Sequence, residues 1–251
     1  MADNRPIGVM DSGMGGLSVV RALRKHLPDE KLVFWGDNKN APYGIHTAEE
    51  IREMTWGIVN RLLEHDVKAI VIACNTATSA AAPDLREKLD LPVLGLEPAL
   101  KPAVEFAGDA PVAVLATGAT LSLEKYQRLL ERFGHNTVSL PCPELVEVVE
   151  AGDTGSDAVV NYIAEKLAPY KDGLKALVLG CTHFVWLREA AQKAVPGVEI
   201  FDGNEGLARY LKVRLERGGM LCDIPQGGCE LHTTSDDPAV MERMKAILGN
   251  I

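Results

Sequence analysis

The sequence predicts an α/β fold built from two pseudo-symmetric lobes with mainly parallel sheets. Short apolar runs rich in β-branched residues alternate with amphipathic stretches along the 251 residues, as strands and helices do in α/β proteins. Most of the runs are apolar throughout, which is typical of parallel strands covered on both faces. Two kinds of strand end also recur along the chain, which predicts two similar halves.

Each predicted strand is a short apolar run that ends at turn residues, and helical periodicity fills the intervals between runs. Pro83 falls inside one predicted helix, which must bend there or begin later. The predicted strands are Ile7–Met10, Leu32–Trp35, Ala69–Ala73, Val93–Leu96, Val112–Ala116, Thr137–Leu140, Ala176–Leu179 and Glu199–Phe201. The predicted helices are Leu17–Leu27, Ala48–Glu64, Ala77–Leu89, Ser122–Phe133, Ser156–Leu167, Val185–Ala194 and Leu207–Arg217.

A weak internal repeat links the two halves. The segments VMDSGMGG and LATGATLS align Asp11 with Thr117, and VIACNTATS and VLGCTHFVW align Cys74 with Cys181 at nearly the same offset. Ligands of open α/β sheets bind beyond the carboxyl ends of the strands. The repeat therefore predicts one active site in a cleft between the two lobes.

The two aligned cysteines are candidates for acid–base chemistry. Cys74 and Cys181 each follow a buried strand and precede hydroxyl or amide side chains at a predicted helix start, where a helix N-terminus stabilises a thiolate and backbone amides bind a carboxylate. Two opposed thiols can invert a stereocentre, because one removes a proton and the other returns one. The alternative is that each cysteine is only a small buried apolar residue.

Proton-transfer partners and ligand donors are expected beside both cysteines. His183 is the candidate partner of Cys181, and Asp11 that of Cys74; a core or capping histidine and an N-cap aspartate are the alternatives. The glycine-rich stretch 11–16 lacks the lysine of a phosphate loop and the glycine spacing of a dinucleotide site. An amino acid suits it better, with the ammonium on Asp11 and Ser12 and with neutral donors from three further side chains, namely Asn75, Thr76 and Thr182.

Charge and composition restrict the partners. The net charge is -9 without a visible basic patch, which disfavours nucleic acid and anionic membranes as ligands. No secretory leader or apolar run of membrane-spanning length is present, so we expect a cytoplasmic protein. The five cysteines favour reduced thiols over a disulfide framework. A metal site at Cys222, Cys229 and His232 is disfavoured by the cysteine spacing and by the lack of a fourth ligand.

Five segments together are more selective than any one motif: GVMDSGMGGLSVVRAL, GDNKNAPYG, VIACNTATSAA, GLEPALKPA and LVLGCTHF. Through them the chain resembles the glutamate racemases of the aspartate/glutamate racemase family over nearly its full length. The resemblance implies interconversion of L- and D-glutamate without metal or pyridoxal phosphate, and a homodimer that supplies D-glutamate for peptidoglycan and hence for cell shape. It also implies two Rossmann-like lobes, which we expect at residues 1–97 plus 209–251 and at residues 98–208.

The resemblance also assigns roles to residues. Cys74 is expected to deprotonate D-glutamate and Cys181 L-glutamate, with Asp11 and His183 as their partners and Glu150 supporting the network. From the residues alone, Tyr43 and Gly44 are better interpreted as a surface turn after Pro42, and only the resemblance makes them substrate contacts. The substrate-binding residues implied are Asp11, Ser12, Asp37, Tyr43, Gly44, Asn75, Thr76, Thr120, Thr182 and His183.

Departures from the family pattern leave selectivity open. Residues Val185, Trp186 and Leu187 follow CTHF where the family has tyrosine, proline and leucines, and the ATGATLSLEKY and DGNEG segments also differ. A related enzyme acting on aspartate, a hydantoin or a maleate-like acid is the first alternative. A non-catalytic amino-acid-binding or regulatory protein is the second, since some family members are associated with gyrase inhibition.

Overall fold

Two parallel sheets organise the chain in a computed structural model that describes residues 2–249. The predicted α/β class and its parallel sheets are confirmed. The chain divides into two compact units. The first unit holds the described residues up to Leu96 and from Asn204 onwards, and the second unit is Glu97–Gly203.

The first unit contains a five-stranded parallel sheet. Its strands are β1 (Ile7–Asp11), β2 (Leu32–Gly36), β3 (Ala69–Ile72), β4 (Val93–Gly95) and β9 (Cys229–Thr233). They lie in the order β4-β3-β1-β2-β9. The three central strands are buried along almost their whole length, as the uniformly apolar runs predict. The helices of this unit are α1 (Leu17–His26), α2 (Ala48–Leu63), α3 (Asn75–Lys88), α10 (Asn204–Gly218) and α11 (Pro238–Leu248).

The second unit contains a four-stranded parallel sheet. Its strands are β5 (Val112–Ala116), β6 (Thr137–Pro141), β7 (Ala176–Leu179) and β8 (Glu199–Phe201), in the order β6-β5-β7-β8. Its helices are α4 (Leu100–Ala107), α5 (Gly118–Ser122), α6 (Glu124–Phe133), α7 (Glu144–Glu150), α8 (Asp157–Leu167) and α9 (Arg188–Ala194). Short 3-10 helices cover Ala168–Tyr170 and His183–Leu187, and a third, Tyr43–Ile45, lies in the first unit.

All eight predicted strands are present, with end points that differ by one residue at most. Helix α3 continues through Pro83, so the alternative of a helix that begins after this proline is wrong. The sequence patterns missed β9, α4, α5, α7 and α11. Strand β9 lies at the edge of its sheet, and its sequence CELHT carries Glu230 and His232 in place of an apolar run.

A buried ion pair joins the N-terminal segment of the first unit to the loop after α10. Lys68 and Glu30 are almost fully buried, with 2.6 Å between the ammonium nitrogen and a carboxylate oxygen. Lys68 also donates to the Asp3 carbonyl at 2.6 Å, and Glu30 accepts from the Cys222 backbone N–H at 2.9 Å. These added bonds offset the desolvation of the two charges, so the pair anchors both the N-terminal segment and the loop after α10.

No helix within residues 2–249 is both long enough and apolar enough to span a bilayer.

Candidate active site

One set of candidate residues lies where three adjacent strands of the first unit end. Asp11 closes β1, Asp37 follows β2 and Cys74 follows β3, and these strands are neighbours in the order β3-β1-β2. Backbone bonds continue the pairing past the strands, from the Asp37 N–H to the Asp11 carbonyl at 2.9 Å and from the Ala73 N–H to the Met10 carbonyl at 2.8 Å. The sheet thus fixes the backbone that carries all three side chains.

The Asp11 carboxylate is held beside the start of α1. Asp11 is fully buried and Ser12 nearly so, and one carboxylate oxygen of Asp11 accepts from the Gly13 N–H at 3.2 Å. A Cβ at Gly16 would lie 2.5 Å from the Asp11 Cβ. Only glycine therefore allows the helix to begin this close to the carboxylate.

Cys74 is the N-cap of α3. Its Sγ accepts a hydrogen bond from the Ala77 N–H at 3.4 Å, which places the sulfur at the positive end of a 14-residue helix. Asn75 and Thr76 are buried in the first turn. The amide oxygen of Asn75 is buried with no hydrogen-bond partner among the described residues. Since buried acceptors are normally paired, this oxygen is suited to accept from a bound ligand.

Asp37 lies at the centre of a hydrogen-bond network. Its carboxylate accepts from the Tyr43 hydroxyl at 2.7 Å, from the Asn40 amide at 3.0 Å and from the Thr234 hydroxyl at 2.8 Å. The sequence patterns did not identify Asn40 or Thr234. Thr234 follows the unpredicted strand β9 and comes from the far end of the chain, so no local pattern links it to Asp37.

Tyr43 is buried despite its place in a short turn. The turn predicted after Pro42 is present as a short 3-10 helix, but Tyr43 is only 1% exposed, so its interpretation as a surface residue is wrong. Gly44 is half-buried. Desolvation and the negative charge of Asp37 raise the pKa of the Tyr43 hydroxyl, with smaller contributions from Cys74 and Asp11. The hydroxyl therefore stays protonated and acts as a hydrogen-bond donor to Asp37.

We expect Tyr43→Phe to lower the free energy of unfolding by about 1.5–3 kcal/mol, the usual range for a lost hydrogen bond to a charged group. Tyr126→Phe is the matched control, because the Tyr126 hydroxyl bonds the neutral Ser139 hydroxyl, and about 0.5–1.5 kcal/mol is expected there. Urea unfolding of both variants measures the difference. Equal losses would contradict a charged partner for Tyr43.

A second set lies at the equivalent strand ends of the second unit. Thr117 follows β5 and caps α5, with its hydroxyl accepting from the Thr120 N–H at 3.3 Å and donating to the Thr120 hydroxyl at 3.0 Å. Cys181 follows the neighbouring strand β7. The Gly180 N–H donates to the Leu115 carbonyl at 2.7 Å, which resembles the bond that precedes Cys74 in the first unit.

Cys181, His183 and Glu150 form a chain of polar contacts. The distance from Cys181 Sγ to His183 Nδ1 is 3.8 Å, and that from His183 Nε2 to Glu150 Oε1 is 2.7 Å. Burial by itself would lower the pKa of His183, but the hydrogen bonds and charges of Cys181 and Glu150 outweigh it and raise this pKa well above its ordinary value. Glu150 ends α7. The buried His183 ring thus links the Cys181 sulfur to the Glu150 carboxylate.

The predicted α-helix start after Cys181 is wrong. The Phe184 N–H donates to the Cys181 carbonyl at 3.1 Å, which closes a tight turn that continues as the 3-10 helix His183–Leu187, and α9 begins only at Arg188. The buried Thr182 precedes this turn. The polar group beside the Cys181 sulfur is therefore the His183 ring, whereas the group beside the Cys74 sulfur is a backbone N–H in the first turn of α3.

The alternative metal site fails on geometry. Cys229 and His232 are three positions apart on β9, so their side chains point to opposite faces of the sheet. The Cys222 thiol donates to the Asp29 carbonyl at 3.4 Å. Among the described residues these three side chains form no common set of ligands.

Known proteins resemble the chain throughout its length. A model of the Asp/Glu/hydantoin racemase family matches residues 7–211. The chain is 44% identical to a glutamate racemase of Clostridium perfringens, with 98% of this chain and 96% of that one covered.

Two solved structures are similar in fold. One is glutamate racemase from Thermus thermophilus in complex with β-chloro-D-alanine, with a TM-score of 0.84, 35% identity, and coverage of 100% of this chain and 95% of that one. The other is Escherichia coli glutamate racemase with L-glutamate and the activator UDP-MurNAc-Ala, with a TM-score of 0.85, 32% identity, and coverage of 97% and 94%.

Proposed function

Because this chain belongs to the Asp/Glu/hydantoin racemase family, we propose that it interconverts L-glutamate and D-glutamate with Cys74 and Cys181 as the two acid–base groups. The chain is an amino-acid racemase. One observation supports the pair of thiols most strongly. In the first unit Cys74 follows the strand that pairs with the strand of Asp11, and in the second unit Cys181 follows the strand that pairs with the strand before Thr117. Each sulfur has a polar neighbour, the Ala77 N–H at Cys74 and the His183 ring at Cys181.

The reaction needs two proton transfers at Cα. A thiolate removes the α-proton of one enantiomer, and the thiol of the other cysteine delivers a proton to the opposite face of the planar carbanion. In the L-to-D direction Cys181 is the base and Cys74 the acid, and the roles exchange in reverse. In this proposal the His183 ring stabilises the thiolate of Cys181, and the N-terminus of α3 stabilises that of Cys74.

The substrate is held by buried polar groups at the strand ends. We assign the ammonium group to Asp11, Ser12 and the Asn75 amide oxygen, which otherwise has no partner among the described residues. Backbone N–H groups at the start of α3 and the hydroxyls of Thr76, Thr120 and Thr182 suit the carboxylates. The remaining assigned contacts are Asp37, Tyr43, Gly44 and His183. Fixed donors of this kind stabilise negative charge that develops in the transition state.

We propose glutamate and not aspartate as the substrate because curated glutamate racemases match nearly the whole chain at 43–44% identity. The proposal includes no metal or organic cofactor, since two thiols account for both proton transfers. The homodimer and the supply of D-glutamate to peptidoglycan rest on the family resemblance alone.

The test is incubation of purified protein with L-glutamate in the presence of EDTA and without added cofactor, followed by circular dichroism. We expect the signal of L-glutamate to decay to zero as the two enantiomers reach equal amounts, and L-aspartate in a parallel reaction to keep its signal. Decay of the L-aspartate signal alone would identify aspartate, and not glutamate, as the substrate. A stable signal with both would favour an amino-acid-binding protein, and loss of activity through EDTA would contradict cofactor independence.

A further inference from the structure

A cluster of metal-binding side chains lies in the first unit, apart from the residues assigned to glutamate. His65 is in the turn after α2, and Glu230 and His232 are on the edge strand β9. One ligand atom from each of the three residues lies within 4.8 Å of the other two. Glu230 and His232 alternate along the strand and therefore share one face of the sheet.

Ring packing holds the two imidazoles in place. His232 is the register partner of Trp35 on β2, and their rings stack with centroids 4.6 Å apart and planes 10° from parallel. The His65 ring lies 5.0 Å from the His232 ring at 54°. The Arg61 guanidinium covers the Trp35 ring at 4.8 Å. Ring packing thus restricts the rotation of both imidazoles.

The cluster is accessible to ions in solvent. The side chain of His232 is 27% exposed and that of Glu230 is 42% exposed. His232 Nε2 lies 2.9 Å from Glu230 Oε1, and the Lys31 ammonium lies 3.4 Å from the other carboxylate oxygen. A metal ion would replace the contact between His232 and Glu230, while Lys31 keeps its own oxygen.

Two imidazoles and one carboxylate are a ligand set suited to zinc, whereas Mg²⁺ and Ca²⁺ prefer oxygen ligands alone. Zinc–ligand bonds of about 2.0–2.2 Å require donor atoms no more than about 4.4 Å apart. The three ligand atoms lie within 4.8 Å of one another, so small side-chain rotations suffice to bring them to zinc-binding distances. A fourth position remains for water.

We propose that His65, Glu230 and His232 bind a zinc ion that joins the turn after α2 to the edge strand β9. This site is separate from the racemase chemistry. Because β9 leads directly to Thr234, which donates to Asp37, zinc would hold the strand from which that contact comes. Binding to the folded state alone stabilises it by mass action.

Zinc titration by calorimetry tests the site in a Cys74→Ser/Cys181→Ser protein, which removes the two proposed catalytic thiols as competing ligands. After treatment with a chelator, this protein should bind one zinc ion saturably. His65→Gln and His232→Gln, each added to it, should weaken binding at least about tenfold, since even outer partners of metal ligands contribute that much. His135→Gln is the matched control, because His135 is an exposed histidine in the second unit.

Thermal unfolding of the otherwise unchanged chain provides a second measurement. Zinc should raise Tm, magnesium should not, and the zinc effect should disappear in His65→Gln, whose side chain is only partly buried in the turn after α2. Two outcomes would overturn the proposal: the absence of saturable zinc binding, or zinc affinity and stabilisation that are unchanged in His65→Gln and His232→Gln.

Discussion

Replacing Cys74 with serine should slow glutamate racemisation by about 100- to 10,000-fold, the contribution typical of one general acid or base. A serine hydroxyl does not ionise near neutral pH, whereas a thiol can, so serine cannot provide the base that removes the α-proton. Serine is nevertheless a favoured N-cap residue, so it keeps the hydrogen bond from the Ala77 N–H that begins α3. The loss should therefore appear in kcat, with little change in stability.

Cys222→Ser is the control for this variant, since Cys222 is a partly buried free cysteine outside both sets of candidate residues. Racemisation by Cys222→Ser should equal that of the unchanged protein. If Cys74→Ser kept full activity, Cys74 would be no acid–base group and the proposed mechanism would be wrong.

His183→Gln should slow racemisation by about 100-fold or more, because it removes the charge beside the Cys181 sulfur. Glu150→Gln should have a smaller effect on rate and a clear effect on pH dependence. Glu150 is one of the groups that raise the pKa of His183, so this variant lowers that pKa. The alkaline limb of kcat/KM should then move to lower pH. Since the two substrates are enantiomers of equal energy, kcat/KM must fall equally in both directions.

The same interaction predicts a pH-dependent difference in stability. The folded-state pKa of His183 is raised, so the stabilisation is fully present below the unfolded value of about 6.5 and is lost as the pH rises through the folded value. The stability lost in Glu150→Gln should therefore be largest near pH 6 and should shrink in alkaline solution. Urea unfolding at several pH values measures it.

Glu144→Gln is the control for Glu150→Gln. Glu144 lies at the other end of α7 and accepts from the Tyr162 hydroxyl at 2.6 Å, so its charge is remote from the histidine chain. Its variant should keep the pH profile of the unchanged protein. If Glu150→Gln also kept that profile, Glu150 would not control His183.

The buried part of the fold could be predicted because burial leaves a direct pattern in the sequence. All eight predicted runs, most of them apolar throughout, are strands, and the repeat that aligns Cys74 with Cys181 corresponds to equivalent strand ends in two parallel sheets. Strand β9 escaped prediction because its sequence, CELHT, contains no apolar run. Its Glu and His side chains break the apolar pattern that marks the other strands.

The strand-end positions of the two cysteines and the contact between Cys181 and His183 could be predicted from the sequence, but the contacts of Asp37 could not. Cys74 and Cys181 follow apolar strands, a pattern that is local in sequence. The bond from Thr234 to Asp37 joins distant parts of the chain, and only the folded sheet brings them together. The 3-10 turn after Cys181 also departs from the helix that the following periodicity predicts.

The most direct test of the two-thiol mechanism is to convert L-glutamate in deuterated water and to analyse both enantiomers by mass spectrometry at low conversion. With a separate thiol for each enantiomer, every D-glutamate molecule formed should carry deuterium at Cα, while the remaining L-glutamate keeps its proton. D-glutamate that retained the original proton would show that one group both removes and returns it, and would contradict the separate roles of Cys74 and Cys181.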